Sequence, residues 1–511
     1  MTKAGAFSLM AFVALWLAGC GAAEEGLGKP NIIVIYVDDL GYADVGSYGA
    51  VGVETPSVDF LAENGVRFTD AHAAAATCTP SRYALLTGEY GFRSRARVLP
   101  GDAPLLIRPD QPTLPAMLKK AGYATGVVGK WHLGLGDGAV DWNGHISPGP
   151  LEIGFDFAFL LPATGDRVPT VYVENHSVVN LDKNDPIAVS YGKKIGDRPT
   201  GHENPELLRV HANPQHSATI VNGVSRIGYM AGGERALWVD EEFPDVFTEK
   251  AIAFIRENKD RPFFLFRSFH DIHVPRLPHP RFKGKSAMGP RGDAIVQMDW
   301  MTGGIVKELE ALGIAENTLI VFTSDNGPVL NDGYEDQAVE LVGAHNPSGP
   351  FRGGKYSAFE AGTRVPTIVY WPGTVAPGES TAVISQVDLY ASLAALVGVA
   401  LEPAEAIDSQ GMLDTLLGRS AEGRELLFKE SIRTYSVRRD GVKYIAPLAG
   451  DADLPKWLHT KNIELGFSTA PQLYDLSADI GEQTDIAADH PDTVAELQAA
   501  LEAILDRTAR P

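Results

Sequence analysis

The chain has 511 residues, 44% of them hydrophobic and 21% charged, with a formal net charge of -21 and two cysteines, Cys20 and Cys78. That hydrophobic fraction excludes a disordered chain, and two cysteines cannot build a disulfide scaffold. So acidic a chain is no nucleic-acid binder, because Lys and Arg would have to neutralise phosphates, and an anionic substrate would need a local positive field.

Residues 1–20, MTKAGAFSLMAFVALWLAGC, carry one cation, Lys3, an apolar run from Ala6 to Ala18 and small residues before Cys20. This reads as a secretory leader, too short for a stable membrane span. Leu17-Ala18-Gly19-Cys20 resembles the lipobox of bacterial lipoproteins, which implies cleavage before Cys20 and lipidation of its thiol; the alternative is ordinary cleavage near Ala22 or Ala23. Residues 21–29 then form a tether, and the protein is exported to the periplasm or cell surface, reaching the membrane through a lipid anchor alone. With Cys20 consumed, Cys78 has no disulfide partner in an oxidising compartment.

From Pro30 to about residue 400 a short apolar run is repeatedly followed by polar residues and then a helical pattern. Ile32 to Val37 ends in Asp38-Asp39. Ala124 to Val128 leads into Gly129-Lys130-Trp131-His132. Phe263 to Phe266 leads to His270-Asp271-Ile272-His273, and Leu319 to Phe322 leads to Ser324-Asp325-Asn326-Gly327. Runs that apolar suit strands buried on both faces, so the fold class is α/β: a mostly parallel mixed sheet covered by helices on both faces. Helices are expected at Pro115 to Lys120, Val246 to Asn258 and Gly292 to Leu312. In such sheets ligands bind beyond the carboxyl ends of the strands, where all four polar clusters lie. Residues 141–240, rich in Gly, Pro, Asn and Asp, read as long loops over that edge. After about residue 415 short strand-like pieces, Tyr435 to Arg438 and Val442 to Ile445, and a helix from Pro491 to Arg507 suggest a smaller C-terminal α+β subdomain. The expected division is 30–415 for the main domain and 416–511 for the subdomain.

Cys78 lies in Cys78-Thr79-Pro80-Ser81-Arg82, with Gly88 six residues further on. Pro80 suits the first turn of a helix and Gly88 its end, which puts Cys78 at a helix N-terminus, where the dipole favours an anion. A lone cysteine is otherwise most often a small buried hydrophobe. Cys-x-Pro-x-Arg resembles the signature of the type I sulfatases of the alkaline phosphatase superfamily. The companion motifs follow in family order: Asp38-Asp39, Gly129-Lys130-Trp131-His132-Leu133-Gly134, His273-Val274-Pro275, Asp325-Asn326-Gly327, Arg352-Gly353-Gly354-Lys355, and Gly362-Thr363-Arg364-Val365-Pro366. Leu473-Tyr474-Asp475-Leu476 is similar to the family's C-terminal region.

The resemblance implies that a maturation enzyme oxidises Cys78 to Cα-formylglycine (3-oxoalanine), whose hydrate attacks sulfur. Asp38 and Asp39 alone read equally well as a turn; with Asp325 and Asn326 they form a set of hard oxygen donors suited to Ca²⁺ or Mg²⁺ and not to zinc. By family correspondence position 78 joins that metal shell, and one Ca²⁺ is the usual ion. Lys130, Lys355 and the metal would stabilise the sulfuryl oxygens, His273 and Lys355 would lie at the leaving oxygen with His273 as proton donor, His132 would act as base in releasing sulfate, and Arg82 would hold the hydrate and its carboxylates. The implied substrate is a sulfated carbohydrate, galactose or N-acetylgalactosamine 6-sulfate by the likeness of Thr164 to Pro169 and Asp271 to Arg276. Arg167, His270 and Arg276 are candidate sugar contacts, or else loop-stabilising ion pairs. The alternatives are a formylglycine-dependent phosphodiester or phosphonate hydrolase, which resembles this family but carries His where Asn326 stands, and a non-catalytic lipoprotein that binds sulfated glycans.

Overall fold

Six successive residues of the first strand, Ile32 to Val37, alternate between two cores, which is how the sequence comes to build a three-layered molecule. The structure, a computed structural model, describes residues 1–2, 29–448, 454 and 456–508. The leader, Cys20 and most of the tether lie outside the described residues.

The central sheet has ten strands: β1 (Asn31–Val37), β2 (Val66–Phe68), β3 (Ala124–Lys130), β4 (Phe157–Leu161), β5 (Val173–Glu174), β6 (Ser177–Val178), β7 (Phe263–Ser268), β8 (Thr318–Ser324), β9 (Thr367–Tyr370) and β10 (Gly378–Ser380). Their spatial order is β10-β2-β9-β8-β1-β7-β3-β4-β5-β6. The middle five, β8 to β4, run parallel, and β9, β5 and β6 are antiparallel to their inner neighbours. Ile32, Val34 and Tyr36 of β1 face a core shared with the helices Cys78–Thr87 (α2), Leu114–Lys120 (α3) and Leu389–Leu396 (α6). Ile33, Ile35 and Val37 face the opposite core, packed by Pro56–Glu63 (α1), Phe243–Asn258 (α4) and Gly289–Ala311 (α5). Strands buried on both faces read as unbroken apolar runs, as this sequence does.

Register fixes the site. Val37 lies opposite Ser324, Tyr36 opposite Ser268, and Ser268 opposite Gly129. The residues that follow each strand, Asp38-Asp39, Lys130, His270 to His273 and Asp325-Asn326, therefore leave the sheet at one level.

Near the C-terminus a separate antiparallel sheet, β11 (Leu427–Glu430), β12 (Tyr435–Arg439), β13 (Val442–Ile445) and β14 (Gln472–Asp475), is covered by the helix Pro491–Leu505. Phe428, Val437, Tyr444 and Leu473 of this sheet pack with Leu497, Leu501 and Ile504 of that helix and with Ala84 of α2. The small sheet thus rests on the back of the helix that begins at Cys78. The 141–240 region is mostly loop, stitched by two-residue strand pairs such as Ile220–Val221 with Val224–Ser225.

Candidate active site

Helix α2 begins at Cys78 and ends on Gly88, whose φ of 68° is the left-handed conformation that closes a helix without a Cβ penalty. Beside Cys78 lie three buried carboxylates. Asp38, Asp39 and Asp325 each place an oxygen, and Cys78 its Sγ, within 4.8 Å of one another; the Sγ is 3.7 Å from Asp38 Oδ1. Burial first, then the neighbouring Asp325, pushes the Asp38 carboxyl well above its usual range despite Lys130, and burial likewise raises Asp39. Asn326 donates from Nδ2 to Asp39 Oδ1 at 2.8 Å, while its own Oδ1 is buried without a hydrogen-bond partner among the described residues. Crowded carboxylates held above their normal range and an orphaned amide oxygen fit a hard divalent cation.

Cations close the ring around this cluster. Lys130 donates to Asp38, and Lys355 donates to Asp39 at 2.9 Å and to Asp332 at 3.1 Å. Arg82, one turn along α2 from Cys78, donates to Asp325 Oδ2 from Nη2 at 2.8 Å and from Nε at 3.1 Å, to the Lys130 carbonyl at 3.2 Å and to Ser268. Burial raises Asp325, but Arg82, Lys130 and Lys355 more than reverse this and hold it below the usual carboxylate range. Two glycines permit the close approaches: a Cβ on Gly129 would sit 1.7 Å from the Ser268 carbonyl oxygen, and one on Gly327 1.7 Å from that of Ala361.

The histidines differ in what their rings leave open. His132 places Nε2 3.0 Å from the Leu99 carbonyl, so Nε2 carries the proton, and Nδ1 is buried with no partner among the described residues. Burial, then Lys130, holds this ring well below its ordinary pKa, so it is a neutral base with a free lone pair. His273 gives Nδ1–H to the Val274 carbonyl at 2.7 Å and turns Nε2 toward Asp39 and Asp332, each 3.9 Å away. Cys78, His132, His273 and Lys355 open on one cavity of about 610 Å³.

A strand-end cluster of oxygen donors, a helix-borne cysteine and three surrounding cations is the arrangement that the sequence motifs anticipate. The profile of the sulfatase family matches residues 30–399. The chain belongs to the sulfatase family. It is a sulfuric ester hydrolase, similar along its length to a Bacteroides thetaiotaomicron protein named N-acetylgalactosamine-6-O-sulfatase, with 52% identity covering 94% of both chains. Human arylsulfatase A is 31% identical over 92% of this chain and 86% of its own. Among solved structures, a B. thetaiotaomicron sulfatase described in work on the metabolism of multiple glycosaminoglycans is 52% identical with a TM-score of 0.91, covering 94% of this chain and all of its own. An Agrobacterium radiobacter phosphonate monoester hydrolase shares the fold at a TM-score of 0.57 and 18% identity, covering 93% of this chain and 95% of its own.

The structure of this sulfatase moves two of the three candidate sugar contacts away from the cavity. His270 accepts the Gly165 N–H at 2.8 Å and so pins the 164–169 loop to the sheet edge. Arg276 is buried and spends its guanidinium on the carbonyls of Ile272, Leu330 and Val329 and on Asp336, at 2.8 to 3.0 Å. Arg167 does line the cavity, held by Asp166 at 2.7 Å. Asp166 of the same loop joins it, as do residues that the motifs did not indicate: His216, 3.2 Å from Asp166, and Asp332, which binds Lys355, Lys461 and the Tyr356 hydroxyl. Lys461 and Trp457 come from the segment before β14, so the C-terminal region also walls the site.

Proposed function

We propose that this sulfatase hydrolyses sulfate monoesters of carbohydrates, with 6-sulfated galactose-type sugars, N-acetylgalactosamine 6-sulfate first among them, as the substrate class. The observation that carries the reading is the cavity wall beside Cys78 and His273, where Asp166, Arg167 and His216 stand as a linked polar set suited to sugar hydroxyls. The full-length likeness to the relative named for that sugar supports it.

In this proposal Cys78, converted to formylglycine and hydrated, supplies the attacking hydroxyl, and Ca²⁺ or Mg²⁺ held by Asp38, Asp39, Asp325 and Asn326 supplies positive charge against the sulfuryl oxygens. Lys130 and Lys355 add two ammonium groups on the same side, both tied to carboxylates and hence fixed before substrate arrives. Arg82 holds Asp325 in place. His132 would take, at its free Nδ1, the proton of the second hydroxyl at position 78, so that the carbonyl reforms as the bond from that carbon to the sulfate oxygen breaks and sulfate leaves. His273 would deliver one from Nε2 to the leaving oxygen; burial, then Lys355 and Lys130, holds the free ring well below its ordinary pKa, so the negative charge of the bound sulfate ester has to favour its imidazolium before it donates. Asn326 in place of histidine favours sulfate over phosphonate. The leader-like residues 1–20 and Cys20 add export and lipid anchoring to the proposal, and no helix among the described residues is long and apolar enough to cross a membrane.

The test is sulfate release from a panel of defined sugars: N-acetylgalactosamine and galactose 6-sulfates, their 4-sulfates, and 4-nitrophenyl sulfate. The 6-sulfates should give the highest kcat/KM. Preference for the aryl ester or for a phosphonate diester would contradict the reading.

A further inference from the structure

The reaction cavity does not end at the polar wall. It runs outward between the segment 91–99 and the turn after β11, where Phe92, Arg95, Arg97, Tyr435 and Trp457 line it. The segment is anchored on three sides. A Cβ on Gly91 would meet Pro80 of α2 at 2.8 Å, the Leu99 carbonyl holds His132 at 3.0 Å, and the Phe92 N–H donates to Glu430 of β11 at 2.9 Å. Its own turn is closed by Ala96 N–H to the Gly91 carbonyl at 2.9 Å and Arg95 N–H to the Phe92 carbonyl at 3.1 Å. The backbone that carries Arg95 and Arg97 is therefore positioned by the nucleophile helix and by His132 at once.

Charge at this end of the cavity differs from charge near Cys78. Lys355 and Lys461 share Asp332, and Arg167 is matched by Asp166, so the inner cations are compensated. Arg95 and Arg97 are exposed, and no ion pair to either is found among the described residues. Phe92 and Tyr435 line the same end of the cavity, packed edge to face with ring centroids 5.9 Å apart, and give it aromatic surface of the kind that sugar rings pack against. In a protein of net charge -21, two such arginines at a cavity mouth are the local positive field that an anionic substrate needs.

Resting on the carbohydrate reading above, we infer that the mouth of the cavity is a second subsite, in which Arg95 and Arg97 bind the anionic group, carboxylate or second sulfate, of the sugar next to the one being desulfated, over the Phe92 and Tyr435 rings. The preferred substrate is then a polyanionic oligosaccharide and not an isolated sulfated sugar.

The test compares kcat/KM for four probes: N-acetylgalactosamine 6-sulfate alone, and the same sugar glycosidically linked to a neutral hexose, to a hexuronate, or to a sulfated hexose. The wild type should favour the two anionic disaccharides over the monosaccharide by about tenfold or more, which of them wins naming the group, and the advantage should shrink as salt rises. Arg95→Ala/Arg97→Ala should reduce that ratio toward one, while Arg95→Lys/Arg97→Lys should keep much of it. Equal kcat/KM for the neutral and anionic disaccharides, or an unchanged ratio in the double alanine variant, would overturn the subsite and leave the carbohydrate reading standing. Turnover of 4-nitrophenyl sulfate with no desulfation of any sugar would overturn both.

Discussion

Replacing Arg82 tests whether its guanidinium fork is what orders the carboxylates. Arg82 makes two contacts to Asp325 Oδ2, at 2.8 and 3.1 Å, one to the Lys130 carbonyl at 3.2 Å and one to Ser268, and its guanidinium lies 5.3 Å from the Tyr36 ring centroid. Both members of the ion pair are fully buried. Arg82→Met leaves Asp325 buried without its partner, which costs about 3–5 kcal/mol in stability. Arg82→Lys keeps the charge but sets one nitrogen where three nitrogens now bind. It should lose about 1–3 kcal/mol through the contacts it cannot reach. Urea unfolding of the three proteins gives the order wild type, Lys, Met. Activity should fall further than stability alone requires, because the other hydrogen bond to Asp325 is the longer one from the Asp39 N–H, at 3.3 Å to Oδ1; a positioning loss of about 3 kcal/mol lowers kcat/KM more than a hundredfold. A Met variant within about 1 kcal/mol of wild type, or a Lys variant with undiminished kcat/KM on 4-nitrophenyl sulfate, would refute the claim that the fork positions the site.

His273→Ala should slow a sugar sulfate, whose alcohol leaves poorly, far more than 4-nitrophenyl sulfate, whose phenolate leaves unaided; parallel kcat/KM losses on the two would argue against a proton-donor role. Treatment with a chelator should lower both activity and the unfolding midpoint, since Asp38, Asp39 and Asp325 are then left to repel one another, and Ca²⁺ or Mg²⁺ should restore both. An unfolding midpoint indifferent to chelator and metal would contradict a cation in that cluster. Glu430, on β11, is pushed up to about 8 from 4.5 by burial. Its neutral form is the one the fold favours, so stability should fall as pH rises from about 4.5 to about 8. Glu430→Gln, which keeps an oxygen for the Phe92 N–H, should flatten that part of the stability profile, and an unchanged slope would count against the buried neutral carboxyl.

Much of this was legible in the sequence because the sheet is parallel and covered on both faces. Apolar runs marked β1, β7 and β8, a run interrupted by Thr125 and Gly126 marked β3, and the rule that ligands gather at strand carboxyl ends then placed Asp38, Lys130, His273 and Asp325 together. Helix boundaries moved by a few residues where a proline opens the first turn: Val246 to Asn258 begins at Phe243, with Pro244 inside it, and Gly292 to Leu312 begins at Gly289, with Pro290. What the sequence did not disclose depends on loop packing. His270 and Arg276 sit in a stretch full of site residues, yet one answers the Gly165 amide and the other three carbonyls, a choice set by contacts from residues 164–167 and 329–336. Asp332 and Lys461 are 129 positions apart and carry no motif; only the fold of the C-terminal segment against the cavity brings them to Lys355.

The central claim is that Cys78 acts as formylglycine, and mass spectrometry of the peptide spanning residue 78 in active, fully matured enzyme tests it most directly. The account predicts the aldehyde or its hydrate at that position in proportion to specific activity, with none in an inactive Cys78→Ser variant. An active preparation carrying only the unmodified thiol would contradict it.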